Sequence, residues 1–149
     1  MTTDAEPGAA LGNRLGVPFA DPALLRQALT HRSYTNEHPA EPDNGRLALL
    51  GDAVLQLVVT ERLWHAAPEA TVGLLTPRRA ELVADAVLAR WAERIGLGPH
   101  LRLGRGEELG GGAAKASVLA SALEAVIAVA YLEGGLPGAR RAVAALALW

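Results

Sequence analysis

The chain has 149 residues, a length that suits one domain able to bury a core of its own. It contains no cysteine, which excludes disulfides and thiolate metal sites. Its formal net charge is −2, which argues against nucleic-acid binding by bulk positive charge, so any RNA contact has to come from a local patch.

The amino terminus lacks the pattern of a targeting segment. Acidic residues stand where a signal peptide would be basic, and no apolar run reaches the roughly 18 residues of a membrane span. We therefore expect a cytoplasmic protein that has no membrane partner.

The first third of the chain predicts a tail, a short helix and a loop. Residues 1–13 have the polar, glycine-containing composition of a flexible tail. Asp21 and Pro22 then predict the N-cap and first position of a helix that ends near His31. Residues 33–44, which contain prolines and asparagines, predict a loop.

The middle of the chain predicts a long buried helix over residues 46–65. Gly51 inside this helix indicates a close approach of another backbone, because glycine otherwise weakens a helix interior. The apolar spacing assigns its core side chains as Leu47, Leu50, Val54, Leu57, Val58 and Leu63.

The remainder predicts helices separated by glycine and proline. One helix is expected to begin at Thr76 and Pro77 and to stop at Gly96. A glycine-rich loop, a helix over residues 115–132 and a last helix over 137–149 follow. Since Ala and Leu dominate the apolar residues, the whole pattern predicts an all-α domain with six or seven helices.

Four segments, in the same order as in the family, resemble the catalytic domain of ribonuclease III. They are ALTHRSYTNE within residues 15–37, NGRLALLGDAVL at 44–55, LLTPRRAELV at 74–83, and LGRGEELGGG with ASVLASALEAVIAVAYLEGG from residue 96 onward. The resemblance implies a helical bundle that forms a homodimer and cuts double-stranded RNA with divalent metal. We expect residues 14–149 to be one such domain, with no double-stranded-RNA-binding domain present.

In this family, carboxylates from two helices surround the metal ions. Asp52 and Glu124 stand at two of these positions, whereas Gly45, Ala48 and Ser121 replace family acids. Two divalent ions carry four positive charges, which two carboxylates cannot balance. The resemblance therefore implies a degenerate catalytic and metal site, at which Mg²⁺ or Mn²⁺ binds weakly or not at all.

Other interpretations of these residues stay open. Asp52 could make only a local hydrogen bond, and Glu124, among apolar neighbours, could form a structural ion pair with Lys115 or Arg46. Leu49 replaces an aromatic residue that in the family packs across the dimer axis.

The basic residues that match the family are also ambiguous. His31 and Arg32 stand where the family has the same pair, but cations at a helix C-terminus would explain them too. Arg102 and Arg105 could contact phosphate, although a solvated loop suits their balanced charge better. We expect the three tryptophans to lie in the core or at an interface and not to stack on RNA bases. They are Trp64, Trp91 and Trp149.

Three functions are compatible with these residues. The lost acids favour a degenerate domain that cleaves little or nothing and works in double-stranded RNA binding, assembly or regulation, with a paralogue or an RNA-processing complex as partner. An active Mg²⁺-dependent endoribonuclease with one metal at Asp52 and Glu124 is the first alternative. A dimeric protein-interaction module without RNA binding, which the near-neutral charge permits, is the second.

Overall fold

The computed structural model describes residues 6–146, and in this range the protein is built from helices with no β-strand. The all-α prediction is confirmed. The helices are α1 (Pro7–Leu15), α2 (Pro22–Ala28), α3 (Arg32–Glu37), α4 (Gly45–Ala66), α5 (Val72–Leu82), α6 (Asp85–Arg94), α7 (Arg105–Leu109) and α8 (Ala116–Leu146). Single 3₁₀ turns at Gly98–His100 and Gly112–Ala114 flank α7.

Helix α8 is the centre of the fold, and α4 and α6 pack on it. From Val118 to Ala130 every residue of α8 is buried except Ser121 and Glu124. By length and composition α8 could cross a membrane, but most of its apolar stretch is covered by the other helices. That burial is what the core helix of a globular domain shows.

The predicted division near residue 135 appears as a break inside α8. Gly135 has φ +62°, a backbone conformation that side chains disfavour, and it separates the two helical halves. Beyond it, Gly138 lies against the carbonyl oxygen of Ala130, so that the second half folds back closely on the first. The end of the predicted last helix, including Trp149, lies outside the described residues.

The close approach expected at Gly51 is the tightest contact between α4 and α8. A Cβ atom built on Gly51 would lie 1.7 Å from the carbonyl oxygen of Glu124. No real Cβ could occupy that position, so only glycine allows the two helices to meet at this distance.

Two predictions for the first third of the chain are wrong. Residues 7–13 of the expected tail belong to α1, which Pro7 begins and Gly16 ends, and its Leu11 and Leu15 are fully buried. Two leucines at i and i+4 supply enough apolar area to anchor so short a helix. Residues 1–5 of the expected tail lie outside the described residues.

The expected loop over residues 33–44 contains α3. The ring Nδ1 of His31 accepts a hydrogen bond from the backbone N–H of Ser33 at 3.1 Å, so His31 caps the start of α3. The interpretation of His31 as a residue of a helix C-terminus is therefore wrong. Asp21, by contrast, caps α2 as predicted, with its carboxylate accepting from the N–H groups of Ala23 and Leu24.

The single helix expected from Thr76 to Gly96 is two helices, α5 and α6. Helix α5 begins at Val72, so Pro77 lies inside it instead of opening it, and the chain turns at Val83 and Ala84. The turn lets α6 bury Leu88, Ala89 and Ala92, which continuous apolar spacing could not reveal. Gly96 stops α6 with φ +73°, as predicted.

The assignment of the α4 core is confirmed in part. Leu47, Val54 and Val58 are buried, and Leu50 and Leu63 are partly buried against the core. The assignment of Leu57 to the core is wrong, because 46% of its surface is exposed on the side of α4 away from α8.

The Gly51 contact predicts the effect of adding one methyl group. Gly51→Ala should lower the free energy of unfolding by about 3 kcal/mol, because two backbones must separate to admit the Cβ. Urea denaturation followed by circular dichroism measures this change. Gly106→Ala is the matched control, since a Cβ there meets nothing within 4 Å, and its stability should be unchanged or slightly raised.

Candidate functional site

The two acids retained from the family pattern meet where α4 crosses α8. Asp52 follows Gly51 on α4, and Gly51 lies directly against the backbone of Glu124. Asp52 is exposed and Glu124 is partly buried, so one carboxylate faces solvent while the other is set into the surface of the core.

Burial, and then the negative charges of Asp52 and Asp85, raise the pKa of the Glu124 carboxyl to about 7. No cation offsets these effects. Within residues 6–146 Glu124 forms no ion pair, and Lys115 binds Glu107 instead, at 2.7 Å. The predicted structural ion pair of Glu124 with Lys115 or Arg46 is therefore wrong.

Asp85, the first residue of α6, is an acidic neighbour that sequence patterns did not reveal. The apolar spacing over residues 76–95 predicts one helix, in which position 85 is an ordinary solvent-facing acid. Only the turn before α6 brings this residue into the field of Glu124.

The positions that lack the family acids lie together. Gly45, Ala48 and Ser121 line one cleft with a volume of about 670 Å³. The other lining residues are His31, Arg32, Asp43, Asn44, Ser117 and Val118. Asp52 and Glu124 are not in this lining, so the candidate site divides into an acidic part and a cleft lined by Gly45, Ala48 and Ser121.

Local hydrogen bonds fix the wall of the cleft. The buried side chain of Asn44 donates from Nδ2 to the carbonyl oxygen of Ala28 at 3.1 Å. The carboxylate of Asp43 accepts from the N–H of Gly45 at 2.9 Å, at the start of α4. These bonds fix the segment before α4 against α2 and to the first residue of α4.

The acidic part of the site offers few ligands to a metal ion. Among the described residues no group of three His, Cys, Asp or Glu side chains is placed to hold a metal ion. Asp52 lies close enough to Glu124 for its charge to act on that carboxyl, and these are the side chains that could hold Mg²⁺ or Mn²⁺, which commonly bind through one or two carboxylates with water and substrate phosphate.

Arg102 is held within the fold and is not a solvated loop residue, so that interpretation is wrong. Its guanidinium forms an ion pair with Glu41 at 2.6 Å, donates to the hydroxyl of Tyr34 at 2.8 Å and lies over the Tyr34 ring. The hydrogen bond with Glu41 raises the pKa of Arg102 above its ordinary value. These contacts tie the loop after α6 to α3.

Comparison with known proteins decides the family. The ribonuclease-III-like family profile matches residues 21–148. The chain belongs to the ribonuclease-III-like family. It is 50% identical over 135 residues to a protein named Ribonuclease 3 from Heliobacterium modesticaldum, covering 89% of this chain and 57% of that protein. It is also 50% identical over 127 residues to Ribonuclease 3 from Leifsonia xyli, covering 85% of this chain and 53% of that protein.

The chain spans a little over half the length of these curated relatives. Solved structures match it almost end to end. Two structures of the nuclease domain of ribonuclease III from Campylobacter jejuni give TM-scores of 0.86 at 39% and 37% identity. They cover 92% and 98% of this chain, and 93% and 95% of theirs. The first is described as flexible in a region involved in dimer formation.

The raised pKa of Glu124 predicts a pH dependence of stability. An ordinary glutamate has a pKa near 4.5, so between pH 4.5 and about 7 the folded state binds more protons than the unfolded state. Stability should therefore fall as pH rises through this window and level off above it. The slope of unfolding free energy against pH, compared between the parent and Glu124→Gln, measures this.

Glu124→Gln should reduce the slope of unfolding free energy against pH between pH 4.5 and about 7, because glutamine cannot ionise. Asp52→Asn should lower the pKa of Glu124 without abolishing its titration, since burial remains the larger cause. An unchanged slope in Glu124→Gln would contradict the assignment.

Proposed function

We propose that this chain is an endoribonuclease domain for double-stranded RNA that works with one divalent ion held by Asp52 and Glu124. The proposal depends on one observation, the placement of Asp52 close enough to Glu124, at the crossing of α4 and α8, for its charge to act on the Glu124 carboxyl. Its relatives named Ribonuclease 3, at 50% identity, support the same activity.

The residues of the site have separable tasks. Asp52, exposed, can reach an ion in solution, whereas Glu124 has to release the proton that its raised pKa retains before its carboxylate can act as a ligand. A bound Mg²⁺ or Mn²⁺ would supply an activated water and neutralise charge on the phosphate. The products would carry 5′-phosphate and 3′-hydroxyl ends, as the family resemblance implies.

Cleavage should be slow. Gly45, Ala48 and Ser121 offer no carboxylate to a second ion, so the leaving oxygen lacks the second positive charge that a two-metal site provides. We therefore expect this protein to catalyse the same reaction as relatives with all the acids, but to cleave RNA more slowly.

The replaced acids also favour a second candidate, a domain that binds RNA or a partner without cutting. Ala48 and Ser121 face the cleft where the family has acids, and this is what loss of selection for cleavage would leave. A cleavage assay with Mg²⁺ and Mn²⁺ separates the two candidates.

We also propose a homodimer. Helix α4 exposes Leu49, Leu57 and Trp64, and α5 adds Val72 and Leu74. Spacings of eight and seven residues put the three α4 side chains on one face, away from the core. Several large apolar side chains exposed on one face are typical of an interface, and a second copy offers a matching face. The region involved in dimer formation of the Campylobacter jejuni nuclease domain supports this occupant.

Restoring the missing acids should raise the cleavage rate. We expect weak Mn²⁺-dependent cutting of long duplex RNA by the parent chain, and a gain of about a hundredfold or more in Ala48→Glu/Ser121→Asp, since a second ion supplies several kcal/mol. Rates of product formation on denaturing gels measure it. The neutral pair Ala48→Gln/Ser121→Asn is the matched control and should gain nothing.

Asp52→Asn should abolish cutting in both backgrounds. If the parent shows no cleavage with either ion while the restored variant cuts, the chain is a non-cleaving member and the enzyme proposal is wrong. Cleavage that survives Asp52→Asn would place the chemistry elsewhere.

The dimer proposal predicts that Leu49→Arg separates the copies. Leu49 is 75% exposed, so a charge there costs the free chain little but would be buried at the interface. Light scattering after size-exclusion chromatography should report a dimer for the parent and a monomer for the variant. Leu109→Arg, at a leucine of α7 that is 87% exposed, should remain dimeric.

A further inference from the structure

The cleft lined by Gly45, Ala48 and Ser121 favours an anion, whereas carboxylates at these three positions would favour cations. With carboxylates at positions 45, 48 and 121, a phosphate could approach only through bridging cations. Glycine, alanine and serine remove that repulsion. Asp43 is the one acidic residue among the described residues that line the cleft. Its Oδ1 accepts a hydrogen bond from the N–H of Gly45 at 2.9 Å.

The same cleft presents donors for an anion. Arg32 lines it and forms no ion pair within residues 6–146, in contrast to Arg102, which Glu41 holds. Ser117 and Ser121 add hydroxyls, and both can donate to phosphate oxygens. The first turn of α8, where Ser117 and Val118 lie, contributes backbone N–H groups without acceptors in the helix and the positive end of its dipole.

We propose that this cleft binds an RNA backbone phosphate directly, through Arg32 and the hydroxyls of Ser117 and Ser121, with no metal ion between them. The volume of about 670 Å³ lies within the range of ligand sites and leaves room for a sugar–phosphate segment. The inference rests on the proposed function in one respect, namely that duplex RNA reaches this face of the domain.

The position of the cleft relates the phosphate to the acidic pair. Ala48 precedes Asp52 by four residues on α4, and Ser121 precedes Glu124 by three on α8, which is about one helical turn in each case. A phosphate held in the cleft therefore lies about one turn from the carboxylates, roughly 6 Å along α4 and roughly 4.5 Å along α8. The domain would bind the RNA strand by direct contact in the cleft and through a cation at Asp52 and Glu124.

The test measures affinity in EDTA, where no divalent ion can bridge. A fluorescein-labelled, blunt-ended RNA duplex is titrated with the full chain, and fluorescence anisotropy is recorded over a range of salt concentrations. Arg32→Gln should weaken binding about tenfold, as expected for a lost hydrogen bond to a charged group. It should also reduce the slope of log affinity against log salt by about 1.

Arg90→Gln is the matched control, because Arg90 is an exposed arginine on α6 outside the cleft, and both quantities should stay unchanged. Circular dichroism melting establishes that each variant is folded. If Arg32→Gln matches Arg90→Gln in affinity and in salt slope, the proposal is overturned.

A second comparison reverses the change of charge. Ala48→Glu/Ser121→Asp should lose at least tenfold in EDTA affinity and recover it with Mg²⁺, because restored carboxylates repel phosphate unless ions bridge them. The neutral pair Ala48→Gln/Ser121→Asn also loses the Ser121 hydroxyl, but its added amides are uncharged and can donate to phosphate, so it should bind RNA in EDTA at least tenfold more tightly than the acidic pair. Equal EDTA affinity in the acidic and neutral pairs, or no RNA binding by the parent in EDTA, would contradict direct phosphate binding.

These outcomes separate the two proposals. RNA binding in EDTA that depends on Arg32, together with no cleavage in Mg²⁺ or Mn²⁺, would remove the enzyme proposal and leave the phosphate cleft. Cleavage that depends on Asp52, together with no effect of Arg32→Gln on RNA affinity, would remove the phosphate cleft and leave the enzyme proposal.

Discussion

The site depends on the contact between Gly51 and the backbone of Glu124. Because position 51 has no side chain, α4 can approach α8 until a Cβ would lie 1.7 Å from a carbonyl oxygen. This approach brings Asp52 to Glu124, and it aligns the preceding turns of both helices so that Ala48 and Ser121 line one cleft. A larger separation would divide the acidic pair and open the cleft.

The electrostatics of the site follow from that packing. Glu124 interrupts a stretch of α8 that is otherwise buried apart from Ser121, and acids from α4 and α6 act on its carboxyl. Burying a carboxylate without a cation costs free energy, which the folded chain reduces by retaining a proton. Ion pairs occur elsewhere in the described residues, at Glu41, Glu61, Glu81 and Glu107, but none forms at the partly buried Glu124. Such an arrangement is typical of functional sites more than of stabilising networks.

Much of the fold could be predicted from local patterns, and the failures have identifiable causes. The Asp21–Pro22 cap, the stop at Gly96 and the close approach at Gly51 are predictable because each depends on one residue type in one conformation. Helix α1 is not, because two leucines in a glycine-containing segment give a weak periodic signal, although both are fully buried.

The site was predictable only where the family motif supplied positions. Asp52, Glu124 and Arg32 followed from the motif, but the place of Arg32 in the cleft and the effect of Asp85 on Glu124 depend on tertiary structure. The turn between α5 and α6 brings Asp85 toward Glu124, and the capping of α3 by His31 sets Arg32 at the cleft. The spacing of apolar residues predicts neither effect, because both depend on where the chain turns between helices.

The central claim is that Asp52 and Glu124 together hold one divalent ion. The most direct test is a crystal structure grown with Mn²⁺ above pH 7, in which anomalous scattering locates each ion and its ligands. The account predicts a single Mn²⁺ bound by both carboxylates and absent from Asp52→Asn crystals. Two ions within one site, or none near either carboxylate, would contradict it.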